Sequence, residues 1–246
     1  MYKSGLFTAL GLSLLASTQA NAIPLNDNFE LINTVGIYSE YNMRGISFTQ
    51  RNPALQATVT LAHSSGAYAG LFASQVDLAI AKTDYEADYF AGYFYSFNDN
   101  TNLDIGYAKY TYPESSFLNL SETYAVLKSH GAKVGVYYTS DGGANADQSF
   151  IYSYIGYENS EILPYGLSLD THIGQYDFKD PSFFDENGKS TSKYTEWEIA
   201  VKKDFKYLDA SLSYIDTNLS KTECESYVGD KKSCSARLLL GLAKTF

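Results

Sequence analysis

The chain has 246 residues but only one Trp, two Met, two Cys and five Pro. Beyond its first 22 residues it also has no long apolar run. A spanning helix needs about 20 consecutive apolar residues, so no helical span is expected in that part. A membrane is not thereby excluded. A spanning strand needs only about 9–11 residues, and only alternate ones must be apolar. Such alternation leaves mean hydropathy slightly negative, as it is here. Basic clusters are missing and the formal charge is −10, which argues against nucleic acid as a partner. The two cysteines form no CxxC pair, and no His, Cys and carboxylate group shows metal-ligand spacing, so neither a metal nor another cofactor is expected.

What is abundant is aromatic: 23 Tyr and 14 Phe. Both favour pleated surfaces, and tyrosine suits a boundary that is wet on one side and apolar on the other. The opening segment, MYKSGLFTALGLSLLASTQANA, places Lys3 before an apolar stretch from about Gly5 to Ala16 and small residues at Ala20 and Ala22. This is the form of a secretory signal peptide. The expected organisation is a signal peptide over 1–22 and one β-domain over 23–246. In an exported chain, two cysteines close in sequence point to a disulfide between Cys224 and Cys234.

The remainder reads as alternating segments near 29–42, 53–63, 67–76, 84–97, 101–111, 120–129, 132–140, 148–157, 165–175, 194–203, 207–216 and 234–246. Near 194–203, Trp197, Ile199 and Val201 oppose Glu196, Glu198 and Lys202. Period two with one apolar face is the signature of a half-buried strand. Prolines fall at segment ends or in loops, where a sheet tolerates them. Connections alternate in length: 63–66, 98–100, 129–131, 158–164 and 204–206 are short, whereas 43–52, 77–83, 112–119, 141–147, 176–193 and 217–233 are longer. An outer-membrane up-and-down barrel obeys this rule, with short turns facing the periplasm and long loops facing outward. The fold class expected is therefore all-β, a transmembrane antiparallel barrel of about twelve strands.

SARLLLGLAKTF closes the chain on Phe246, with Leu238, Leu240 and Leu242 on one face. This segment is expected to pair with the first strand, since lipid satisfies no open edge. Phe246 is the expected terminal aromatic for the barrel-assembly machinery. The inward row then includes Tyr38, Glu40, Glu86, Asp88, Asp104, Glu122, Lys133, Asp170, His172, Glu196, Glu198, Lys202, Asp209 and Arg237. Buried and unpaired, such charges cost several kcal/mol each; lining a water-filled lumen, they are tolerable. Acids outnumber bases, which favours cations or polar solutes over anions. The competing arrangement is a paired network that blocks the lumen. The loop carrying Phe178, Phe183 and Phe184 either folds into the mouth or packs its aromatics on the rim.

No catalytic residue is nominated. Serine chemistry needs a hydroxyl, a histidine and a group that orients it. His63 and His130 sit in short turns. His172, Asp170 and Ser168 share a strand face at about 7 Å spacing, beyond hydrogen-bond reach. An enzyme is not expected.

Several motifs then resemble one family. SEYNMRGIS (Ser39 to Ser47), PALQ (Pro53 to Gln56), YAG (Tyr68 to Gly70), VD (Val76, Asp77), TYP (Thr111 to Pro113) and SYIDTN (Ser213 to Asn218) are similar to those of the TorF-type porins, exported proteins of Gram-negative bacteria. The resemblance implies an outer-membrane barrel with a channel role. Arg44 continues the inward row of Glu40 and Asn42 and is placed to pair with a lumen carboxylate, either to fix the loop or to set ion selectivity. Gly45 supplies a residue that tolerates φ > 0 where the chain leaves the barrel. The function expected is passive diffusion of small polar solutes or ions through a lumen in the outer membrane. A plugged structural or surface-binding barrel is the alternative.

Overall fold

The computed structural model describes residues 22–142 and 148–246. The expected signal peptide lies outside the described residues except for Ala22, and so does most of the loop expected at 141–147. Twelve long strands follow one another: β1 Phe29–Tyr38, β2 Ala54–His63, β3 Ala67–Gln75, β4 Tyr85–Asn98, β5 Thr101–Tyr110, β6 Leu120–Ser129, β7 Ala132–Thr139, β8 Phe150–Leu163, β9 Leu167–Phe178, β10 Lys193–Asp204, β11 Asp209–Thr217 and β12 Arg237–Thr245. Each pairs antiparallel with its neighbours in sequence. The ring closes where β12 meets β1, from Gly241 opposite Tyr38 to Thr245 opposite Thr34. Phe246 completes the seam: its backbone N–H donates to the Asn33 carbonyl at 2.8 Å, and Asn33 N–H donates to the Phe246 carbonyl at 3.1 Å. The fold is a closed antiparallel barrel, and closure leaves none of these twelve strands with an open edge.

The period-two patterns decide which face is which. Ile37, Leu71, Ile155, Leu238 and Leu240 are more than half exposed, on strands spread around the circumference. Between them, Gln56, Thr58, Thr60, Ser74, Ser211 and Ser213 are buried. Apolar outside and polar inside is the reverse of a soluble β-protein, and it makes the outward belt the surface that has to be covered by something apolar.

Three expectations are corrected. The first strand ends at Tyr38, not near residue 42. Residues 39–52 turn into the barrel, where Asn42–Met43 and Ile46–Ser47 form a small hairpin. The expected turn at 158–164 is mostly strand: β8 runs on to Leu163, shifting register between Asn159 and Leu163, and the chain reverses at 164–166. The loop after β11 contains a helix, α1 Lys221–Val228. Its start is written in Ser220 and Glu223, a reciprocal capping box, and its end in Gly229, whose φ is 78°. Such caps satisfy the end groups that a short helix leaves open.

Candidate functional site

The barrel interior holds the residues expected to line a lumen. Glu40, Arg44, Glu86, Asp88, Asp104, Glu122, Lys133, Asp170, Glu196, Glu198, Asp209 and Arg237 are buried, and His172 is half-buried. Glu40 and Arg44 do not reach the interior from the wall, however. Both belong to the segment after β1, and the inward row does not continue through them. Arg44 and Gly45 are the two turn residues of the inner hairpin, with φ 50° and 83°. Two consecutive positive φ values mark the turn type that closes two-residue hairpins. A β-carbon on Gly45 would lie 2.6 Å from both Glu196 Cβ and Thr217 Cγ2, so the hairpin tip touches the wall at β10 and β11.

Arg44 anchors this hairpin to β6. Its Nη1 donates to Glu122 Oε1 at 2.6 Å and its Nη2 to Glu122 Oε2 at 2.7 Å, a bidentate pair in which both partners are almost fully buried. Such forks are the strong form of charged hydrogen bond. Tyr110 also donates to Glu122, at 2.8 Å, and Arg44 Nη1 to the Tyr176 hydroxyl at 3.1 Å. The guanidinium carbon lies 4.4 Å from the Tyr152 ring centre, 4.7 Å from Tyr137 and 5.3 Å from Tyr176. Three aromatic faces thus surround one cation, a favourable desolvated arrangement.

Further contacts fix the rest of the segment. Arg237 pairs with Glu40 and donates to the Gly45 carbonyl at 3.0 Å and to Asn42 at 2.8 Å. Tyr41 donates to Glu86 at 2.9 Å. Ser47 N–H donates to the Ser233 carbonyl at 2.8 Å, which ties the hairpin to the loop bearing α1. In that loop Cys224 and Cys234 are joined in a disulfide, their Cα atoms 5.9 Å apart. Phe178 and Phe183 are buried beside Tyr194 and both cysteines, whereas Phe184 is exposed. The aromatic loop therefore contributes to a cap over the long-loop end of the barrel.

Toward the short-turn end the interior is more ionic. Asp170 receives Lys133 and Lys202, the latter at 2.8 Å, and Lys128 pairs with Glu158 at 2.5 Å. Asp104 accepts from the Tyr68 hydroxyl. At mid-height, His172 Nε2 lies 3.1 Å from Glu196, which also accepts from Tyr152 at 2.6 Å. Asp209 stands at the short-turn end of β11, opposite Asp204. Glu198 lies beside Ile215 on the inner wall of β10.

The charges anticipated from alternation are thus largely brought into contact with partners. Period two names Tyr38 and marks further inward tyrosines in the same way: Tyr152 lies buried between exposed Ile151 and Ser153, and Tyr137 between exposed Val136 and Tyr138. What no pattern reveals is that Tyr137, Tyr152 and Tyr176, from three strands, converge on one arginine.

Solved structures share this architecture. A KdgM porin in complex with disordered oligogalacturonate aligns over 88% of this chain and 98% of its own, at 10% identity and TM-score 0.50. A NanC porin aligns over 87% of this chain and 98% of its own, at 12% identity and TM-score 0.51. At these identities the likeness is one of fold. No curated protein matches the chain significantly. A family model described as a bacterial protein of unknown function, Gcw_chp, matches residues 24–246, and the chain belongs to that family.

Proposed function

We propose that the chain is a porin-like channel of the bacterial outer membrane, with the apolar belt in lipid and a charged interior that passes small polar solutes or ions down their gradients. The observation that carries this reading is the inverted barrel: closed, apolar outside, and lined with carboxylates, lysines and hydroxyls within. The motifs that resemble those of TorF-type porins, and a fold like that of the KdgM and NanC porins, support it. The excess of acids over bases inside gives a mild preference for cations.

A second reading has its own support. The Arg44–Glu122 pair lies inside the barrel, and its side chains are only 2% and 1% exposed. An open pore would leave such groups wet, so residues 39–52 act as a plug in this conformation. If the plug never moves, the protein is a structural or surface-binding barrel without transport. Planar bilayers separate the two. Conductance steps from the wild type, or from Arg44→Ala alone, support a channel. Silence from both, in protein that has folded, leaves the fixed plug. Where steps occur, the reversal potential in a salt gradient reads the preference, and an anion-favouring potential would sink the cation assignment.

A further inference from the structure

Glu86 and Asp88 occupy successive inward positions of β4, at 0% and 2% exposure. Their four carboxylate oxygens are unequally provided for. Tyr41, in the plug, donates to Glu86 Oε1 at 2.9 Å, and the backbone N–H of Thr111 donates to Asp88 Oδ1 at 3.1 Å. Glu86 Oε2 and Asp88 Oδ2, one oxygen from each acid, are buried without a hydrogen-bond partner among the described residues. Asp88 and the Tyr112 hydroxyl both neighbour the Glu86 carboxyl.

The surrounding groups do not compensate the pair. Facing it are Tyr41 and Arg44 from the plug, Tyr110 and Tyr112 from the end of β5 and the loop beyond, and Glu122 from β6. Arg44 is the one cation among these; both of its terminal nitrogens serve Glu122, and its Nε, buried too, donates to neither acid. Three carboxylates therefore share one guanidinium. Two adjacent buried carboxylates cannot both stay ionised without a large cost from repulsion and lost hydration. A hard cation would need about six oxygen ligands, and the free oxygens here supply two. Among the described residues, no group of three His, Cys, Asp or Glu is placed to hold a metal. A bridging water would satisfy the hydrogen bonds but bring no charge. One proton, which takes no space, answers both needs: it makes one orphan oxygen a donor and leaves the other its acceptor.

We propose that Glu86 and Asp88 hold a single proton between them in one O–H···O bond, and that the plug responds to its loss through Tyr41. When the proton leaves to solvent, the pair goes from one negative charge to two. The acids repel, water is drawn to them, and the wall that anchors Tyr41 gives way. The coupling to the plug rests on the reading of residues 39–52 given above; the shared proton does not.

Infrared difference spectra of the full barrel in lipid vesicles at neutral pH test the proton. Wild type minus Glu86→Gln should contain one carboxylic-acid C=O band, and wild type minus Asp88→Asn should contain the same band, because one proton serves both residues. Gln and Asn keep the size and offer an N–H to the orphan oxygen, so both variants are expected to fold. Difference spectra with carboxylate bands alone would overturn the shared proton. The coupling is read without conduction, by hydrogen exchange of the 41–48 amides. At alkaline pH the wild type should exchange faster than Glu86→Gln at the same pH, and the gap should close at neutral pH. Equal exchange at every pH would overturn the coupling while leaving the infrared result to stand on its own. A barrel that never conducts would defeat the channel reading without touching either measurement.

Discussion

Removing the Arg44 guanidinium leaves the Glu122 carboxylate buried without its cation. Breaking such a pair from one side costs about 3–5 kcal/mol, so Arg44→Ala should lower the urea midpoint for barrel unfolding in detergent by a corresponding amount. Arg44→Lys keeps the charge but not the planar fork or the stacking on Tyr152 and Tyr176. It should fall between wild type and Ala, and a lysine variant as stable as wild type would show that the fork contributes nothing. Gly45 is constrained twice, by its φ of 83° and by the 2.6 Å approach to Glu196 and Thr217. Gly45→Ala should therefore destabilise by more than about 1 kcal/mol, the usual cost where φ > 0 alone is the problem. At this scale the sequence was partly legible. It named Arg44 and Glu122 as inward charges, but not as partners, because they are 78 positions apart and alternation says nothing about what lies across a cavity.

Elements between the strands hold the cap. The disulfide closes a loop of 10 residues, which is worth roughly 3 kcal/mol in the chain-entropy model. A Cys224→Ser, Cys234→Ser double variant should keep the barrel but expose 217–236 to limited proteolysis; resistance equal to wild type would show that packing alone holds the loop. Asp230 stabilises the same loop. Partial burial pulls its carboxyl up, but hydrogen bonds from the Ser233 hydroxyl and from the backbone N–H groups of Lys232 and Ser233 outweigh this and hold it below the usual carboxylate range. A group lowered on folding stabilises above its unfolded value, and the stabilisation is lost as pH falls through the folded one. Relative to Asp230→Asn at each pH, exchange protection of the 232–233 amides should shrink on acidification below the carboxylate range. The twelve strands were legible because period two repeats within each of them. Residues 39–52 were not, since Glu40, Asn42 and Arg44 keep the polar alternation of a wall after the wall has ended.

For the whole molecule, closure and inversion act together. Leu240 lies 59% exposed on β12, at the seam with β1. A cation on the lipid face near the bilayer midplane costs about 2–4 kcal/mol. Leu240→Arg should therefore reduce the folded, heat-modifiable fraction recovered in vesicles, whereas the same protein in detergent should be affected less. Equal loss in both would argue that Leu240 does not face lipid. The polar interior has the opposite tolerance: Thr58, between Thr34 and Phe72 on the inner wall, faces no charge, so Thr58→Val should leave the urea midpoint in detergent nearly unchanged.

By itself, the sequence determined an all-β barrel, its strand order, which residues of the strands face inward and the proximity of two cysteines along the chain. These follow from local quantities: a period of two, the length of a connection, the spacing of like residues. The tertiary structure alone decided that the interior is crossed by a hairpin, that one arginine is gripped by a carboxylate and three aromatic rings, and that Glu86 and Asp88 pair with no cation among the described residues. Those outcomes depend on which residues meet across a closed ring, and the meeting is set by the curvature of twelve strands together rather than by any one of them.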